Sequence, residues 1–149
     1  MAEVLFYHLT ERTLEKALPG LVERSLERGW KVVIQAGSEE RLRVLDALLW
    51  TYSEESFLPH SMVRDGTEAW QPVWLTLGTD NPNAAQVRFL VDGAECDDLG
   101  DYVRAVYIFD GHDHGAVEHA RMRWRVEKAA GHVLTYWQQT SGGGWARKA

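Results

Sequence analysis

The feature that most constrains this chain is a short apolar run, Lys31-Val32-Val33-Ile34-Gln35-Ala36, set between two helical patterns. The run lacks polar–apolar alternation, so it reads as a strand buried on both faces, as in a parallel sheet. Upstream, Leu14, Leu18, Leu21, Val22 and Leu26 keep the i, i+4, i+7, i+8 spacing of one helix face. Thr10 and Thr13 offer N-cap chemistry and Gly29 a stop. Pro19 lies early in that pattern, so either the first turn bends or the helix begins near it. Downstream, Glu39 and Glu40 suit the positive start of a second helix. Its apolar face is Leu42, Leu45, Leu48 and Leu49, closed by Trp50. With the β-rich run Val4-Leu5-Phe6-Tyr7-His8 ahead, the order strand–helix–strand–helix predicts a right-handed parallel crossover.

Three further strands are expected at 73–77, 87–91 and 104–109, then a helix over about 115–130 and an extended stretch at 132–138. Between them, 53–69 reads as a loop with an apolar island, Ser56-Phe57-Leu58-Pro59-His60, and Asp80-Asn81-Pro82-Asn83 as a turn. The short later connections leave room for some antiparallel pairing. The 149 residues fit one domain on a prior of roughly 100–200 residues per domain. The expected fold is a single three-layer α/β/α domain over 1–140, with one mixed, largely parallel sheet and a flexible Gly-rich tail at 141–149.

The 16 basic residues against 22 acidic ones give a net charge of −6, which excludes a globally basic nucleic-acid surface. No run of ~18 apolar residues predicts a membrane span. The start, MAEVLFYHLTER, lacks the basic and apolar regions of a secretory signal. A lone Cys96 makes neither an internal disulfide nor a Cys-based zinc site, which fits a reducing cytosol.

Catalytic motifs are sparse. The loop after the first strand, Leu9-Thr10-Glu11-Arg12, has no glycine. The loop after the second, Gly37-Ser38-Glu39-Glu40, has one glycine and two carboxylates. Neither is a phosphate cradle or a dinucleotide fingerprint. There is no G-x-S-x-G elbow, and Glu95, Asp97 and Asp98 around Cys96 disfavour a thiolate. His112, His114 and His119, with Asp110 and Asp113, invite a metal, but their spacing matches no helical ligand pair. A polar loop that opens a helix is the plainer reading. Asp92, Glu95, Asp97, Asp98 and Asp101 depart from calcium-loop spacing and read as a solvated loop.

One constellation is more informative. At about 100° per residue, Arg121, Trp124, Arg125 and Lys128 share a stripe of the last helix with Val117. Met122, Val126, Ala129 and Ala130 fall opposite, as an expected core face. Cations around a tryptophan suit a peptide carrying negative charge and an apolar group. The competing reading tucks Trp124 against the tail and leaves a solvated basic face at a helix C-terminus. A second cluster, Trp50 with Phe57, Leu58 and Pro59, is either a satellite core under the loop or an exposed docking patch.

Three stretches carry a resemblance. Leu45-Asp46-Ala47-Leu48-Leu49-Trp50 followed by Ser56-Phe57-Leu58-Pro59-His60 is similar to the "LDxxLW…SFxPH" signature of the chi subunit of bacterial DNA polymerase III holoenzyme. Ala120-Arg121-Met122-Arg123-Trp124-Arg125 with Ala130-Gly131, and Leu134-Thr135-Tyr136-Trp137-Gln138-Gln139, resemble a helix and an ending of the same family. The resemblance implies a nucleotide-binding-like α/β fold without a phosphate loop, no cofactor and no catalysis of its own, in a component of a DNA-directed DNA polymerase, a nucleotidyltransferase. It implies binding to the acidic C-terminal tail of single-stranded DNA-binding protein, which ends in Pro-Phe, and to the psi subunit and through it the clamp loader. Some members instead join a DNA-repair helicase.

By that resemblance Arg121, Trp124 and Arg125 hold the tail, with Val117 and Lys128 beside them. Trp50 and Phe57, with Leu58 and Pro59, meet psi or the helicase. DNA contact would be mostly indirect and the location cytoplasmic, near the nucleoid during replication. The alternative is a small nucleotide- or metal-dependent enzyme that uses the His112–His119 region.

Overall fold

The computed structural model describes residues 2–51, 61–62 and 66–149, with Trp50 and Thr51 described in backbone only. The opening forms β1 (Glu3–Leu9), α1 (Leu14–Glu27), β2 (Val32–Gln35) and α2 (Glu39–Thr51). A 3-10 turn at Glu68–Trp70 precedes β3 (Val73–Thr76), β4 (Val87–Val91) and β5 (Arg104–Asp110). Then come α3 (His114–Ala129), β6 (Val133–Gln139) and β7 (Trp145–Arg147). Pro19 does not start α1. It lies buried inside the helix, which begins after Thr13.

The strands form one sheet in the order β3-β2-β4-β5-β1-β6-β7. Strands β1 to β6 pair in parallel, and only β7 runs antiparallel, against β6. Parallel neighbours need long crossovers. The link from β4 to β5 meets that need without a helix. Its Ala94, Cys96, Leu99 and Tyr102 are buried while its carboxylates point outward, so the acidic loop is also a cover for the sheet.

Side chains alternate between the two faces of the sheet. Leu5, Ile34, Phe89, Val106 and Ile108 meet the apolar stripes of α1 and α2 in one core. Val4, Phe6, Val33, Trp74, Leu90 and Tyr107 meet α3 and the acidic loop in the other. The three-layer architecture follows from these two cores. A buried cation of the sheet interrupts the second. Arg88 of β4 donates to Gln35 Oε1, the Gly78 and Asp80 carbonyls and the Tyr102 hydroxyl, which ties the loop after β3 to the sheet.

The stretch expected to be a flexible tail is a hairpin arm. A turn at 141–144 leads into β7, and the Trp145 ring packs 4.6 Å from that of Tyr7. Gly143 takes φ +85°, and a Cβ there would meet the Arg12 guanidinium at 2.8 Å. Apolar burial at Trp145 outweighs the flexibility that three consecutive glycines bring.

Candidate peptide-binding site

Helix α3 begins where the chain leaves β5. Gly111 donates to the Leu9 carbonyl at 2.8 Å, and a Cβ on it would collide with the His8 ring. Asp113 then caps the helix by accepting from Ala116 N at 3.1 Å. Small residues at 116 and 120 let α3 sit close on the sheet.

The buried face of α3 is not the one its apolar residues predict. Ala120, Arg123 and Glu127 are buried, while Val126 is 42% exposed and Ala129 and Ala130 are exposed. Met122 is half-buried. The reason is a polar network that outcompetes the apolar set. Arg123 Nη2 donates to Glu127 Oε1 at 2.5 Å and Arg123 Nε to the Tyr107 hydroxyl at 3.1 Å. His132 lies 3.6 Å from the other Glu127 oxygen. Burial pushes the Tyr107 hydroxyl well above its ordinary pKa, and the Glu127 carboxylate adds to the rise. Paired and hydrogen-bonded, these charges tolerate the interior.

That rotation places the basic stripe on the rim of a slot. Val117, Ala120, Arg121, Trp124, Arg125 and Tyr136 line a cavity of about 160 Å³. Trp124 is half-buried, with its ring 5.3 Å from Phe6 and edge-on to Tyr136 at 6.1 Å. It therefore neither projects fully nor tucks against the tail. Arg121 is exposed and reaches Glu118 at 3.0 Å. Arg125 and Lys128 are exposed, with no ion pair among the described residues. Of the five residues named for this surface, Val117, Arg121, Trp124 and Arg125 meet at the cavity, and Lys128 stands outside its lining.

Tyr136 was not among them. Its hydroxyl lies 2.5 Å from His8 Nδ1, and burial raises its pKa while Arg121 opposes the rise. Its place follows from strand pairing and not from local sequence. β6 pairs with β1 so that Tyr136 sits beside Phe6, on the face that α3 covers.

The second cluster is placed only in part. Trp50 lies in the last turn of α2, and Phe57, Leu58 and Pro59 lie outside the described residues. Trp70, which sequence reasoning passed over, is 77% exposed on the 3-10 turn.

The histidine region is separated rather than assembled. His112 Nε2 lies 2.7 Å from the Thr10 carbonyl, and His119 Nε2 lies 2.6 Å from Glu95 Oε1. His114 is exposed in the first turn of α3. No group of three potential ligands comes together among the described residues. Nearby, the loops after β1, β4 and β5 enclose a crevice of about 760 Å³. The chains leaving β1 and β5 go to opposite faces here, the usual place for ligands in such sheets. Gln139 does not line this crevice but takes up N–H groups of the loop that does. Its Oε1 accepts from the backbone N–H groups of Thr10, Glu11 and Arg12 at 3.3, 2.9 and 2.8 Å.

A model of the family described as "DNA polymerase III chi subunit, HolC" matches residues 1–135. The chain belongs to the DNA polymerase III chi subunit family. That family is an accessory subunit of replication. A probable DNA polymerase III subunit chi of Rickettsia prowazekii is 32% identical over 91 residues, covering 61% of this chain and 55% of the relative. A DNA polymerase III subunit chi of Pseudomonas aeruginosa is 36% identical over 58 residues, 39% of each chain. The chain thus spans about half the length of the first relative and less of the second. The family match takes in β1 to α3 and the first residues of β6, and so includes the basic stripe but neither Tyr136 nor the hairpin arm.

Proposed function

We propose that this chi-family protein is an adaptor without chemistry of its own, binding the acidic C-terminal tail of single-stranded DNA-binding protein in the α3 slot. The observation that carries the reading is the slot itself, an aromatic floor of Trp124 and Tyr136 between two exposed guanidinium groups, Arg121 and Arg125. A terminal phenylalanine buries its ring on the floor, and its carboxylate and the preceding aspartates meet the guanidinium forks. The other end of the adaptor is the α2 end and the segment after it, with Trp50, Phe57, Leu58 and Pro59, which takes psi or a repair helicase and so joins the clamp loader. The work belongs to the cytoplasm.

The test is calorimetry with an acidic peptide ending in Pro-Phe. Arg121→Ala and Arg125→Ala each weaken binding by about 1–3 kcal/mol, the range for hydrogen bonds to charged groups. Melting temperature stays unchanged because both side chains are exposed. Full-strength binding by both variants refutes the assignment.

A further inference from the structure

A separate cluster of cations lies at the opposite end of the strands from the crevice, where α1 ends and β5 begins. Arg24 and Arg28 project from the last turns of α1, and Arg104 opens β5. With Tyr7, Trp30 and the apolar residues Leu21, Phe89 and Val106 they line a cavity of about 150 Å³. Basic residues at a helix C-terminus have a plain explanation in the helix dipole. Arg104 does not share it, since it comes from a strand.

We propose that this cavity is a binding site for a phosphate-class oxyanion, held by Arg24, Arg28 and Arg104. Arg104 carries the argument. Its Nε is fully buried and has no acceptor among the described residues. A buried guanidinium N–H without an acceptor is costly, so a small turn of this side chain that brings Nε–H into the cavity and onto a ligand oxygen is met with a gain. The rest of Arg104 is accounted for, with Nη2 3.3 Å from Glu3 and the guanidinium 5.3 Å from the Trp30 ring centre. Arg28 lies 5.2 Å from the same ring, and neither Arg24 nor Arg28 has a carboxylate partner among the described residues. Trp30 thus draws two guanidinium groups to one ring, and of their N–H groups only Arg104 Nη2 has a carboxylate partner among the described residues.

The charge balance selects the ligand. Three guanidinium groups against the single carboxylate of Glu3 leave two positive charges, which match a phosphate monoester of roughly −1.5 to −2 at pH 7. The three arginines act together on one point: each opposes the rise in pKa that burial imposes on the Tyr7 hydroxyl. The ligand is a free phosphate ion or the phosphorylated end of a nucleotide, and both present the same oxygens.

The test follows the arginine Nε–Hε signals of the full chain by NMR at constant ionic strength. The titrants are inorganic phosphate, a 5′-phosphorylated dinucleotide and the same dinucleotide without that phosphate. The expected result is a saturable shift of the Arg104 Nε–Hε signal with inorganic phosphate. Tighter binding of the phosphorylated dinucleotide names a nucleotide end as the source, and weaker binding names the free ion. The double variant Arg24→Gln/Arg28→Gln, exposed at both positions, keeps its melting temperature and loses at least about tenfold in affinity. Arg104→Lys keeps the charge, loses the Nε donor and weakens binding as well. A shift that does not saturate, one equally strong in the double variant, or one that the unphosphorylated dinucleotide reproduces overturns the proposal.

Discussion

The crevice above β1 and β5 holds about 760 Å³ and the slot on α3 about 160 Å³, yet the smaller one is the site we propose for the acidic tail. The crevice lies where α/β sheets usually take ligands. Several of its polar groups already have partners within the chain. Gln139 takes three loop N–H groups, His112 meets the Thr10 carbonyl, and Arg41 is bound to both Glu15 and Asp92. In the slot, Arg125 faces solvent without an ion pair among the described residues, beside a half-buried tryptophan. Volume records where elements fail to meet. Donors without internal partners mark where another molecule gains by binding.

The largest loss is expected at the buried polar network of α3. Glu127→Ala takes from buried Arg123 its hydrogen-bonded carboxylate and leaves only Glu95 and Asp97, each 3.8 Å from Nη1, so the loss falls at or below the lower end of the about 3–5 kcal/mol typical of a broken buried pair. Denaturant unfolding should show that loss, and tail-peptide affinity should fall with it because α3 carries both. A variant that keeps its stability would mean that α3 rests on its apolar residues after all. At the crevice the expected effect is smaller. Gln139→Ala frees three backbone donors, with a stability loss of about 1–3 kcal/mol in the same measurement. Tail-peptide affinity should not change, since Gln139 does not line the slot. Loss of peptide binding in this variant would show that the two regions are one unit.

A pH series probes the point where the two regions touch. Burial, followed by the nearby charge of His112, holds His8 below its ordinary histidine pKa, and its Nδ1 faces the Tyr136 hydroxyl on the slot floor. A depressed histidine binds its proton more readily in the unfolded chain, so its contribution is present above about pH 6.5 and is lost as pH falls below that value. Unfolding curves of the wild type and His8→Gln should therefore differ most near neutrality and converge in mild acid. A constant difference would mean that the ring is held for its shape alone.

Much of this was legible in the sequence. The run at 31–36 and the leucine spacing of α1 and α2 report burial directly, because the core between these helices and the sheet is built from apolar side chains. Hydropathy says less about the other face. Arg88, Arg123 and Glu127 read as surface residues, and only their partners in space show why each is inside. The same limit hid Tyr136, whose place depends on β1 lying between β5 and β6. At the hairpin arm the glycines spoke for flexibility, and the pairing of Trp145 with distant Tyr7 overrode them. The stripe on α3 was visible because helical spacing is local.

The smallest expected effect separates the two arginines of the slot. Arg121 shares its guanidinium with Glu118 one turn earlier, and both side chains are largely exposed. Such pairs contribute about 0.2–1 kcal/mol, and this one places a carboxylate beside the site proposed for carboxylates. Glu118→Gln removes both the competition and the repulsion, so affinity for the acidic peptide should rise by up to about fivefold. The gain should shrink as salt is added, because exposed charges are screened. It should vanish in Arg121→Ala, where there is no guanidinium left to release, and persist in Arg125→Ala, whose guanidinium has no such partner. Calorimetry on these single and double variants measures the coupling directly. An equal gain in both arginine backgrounds would show that Glu118 acts on the peptide alone, and that the slot does not draw on Arg121 as it does on Arg125.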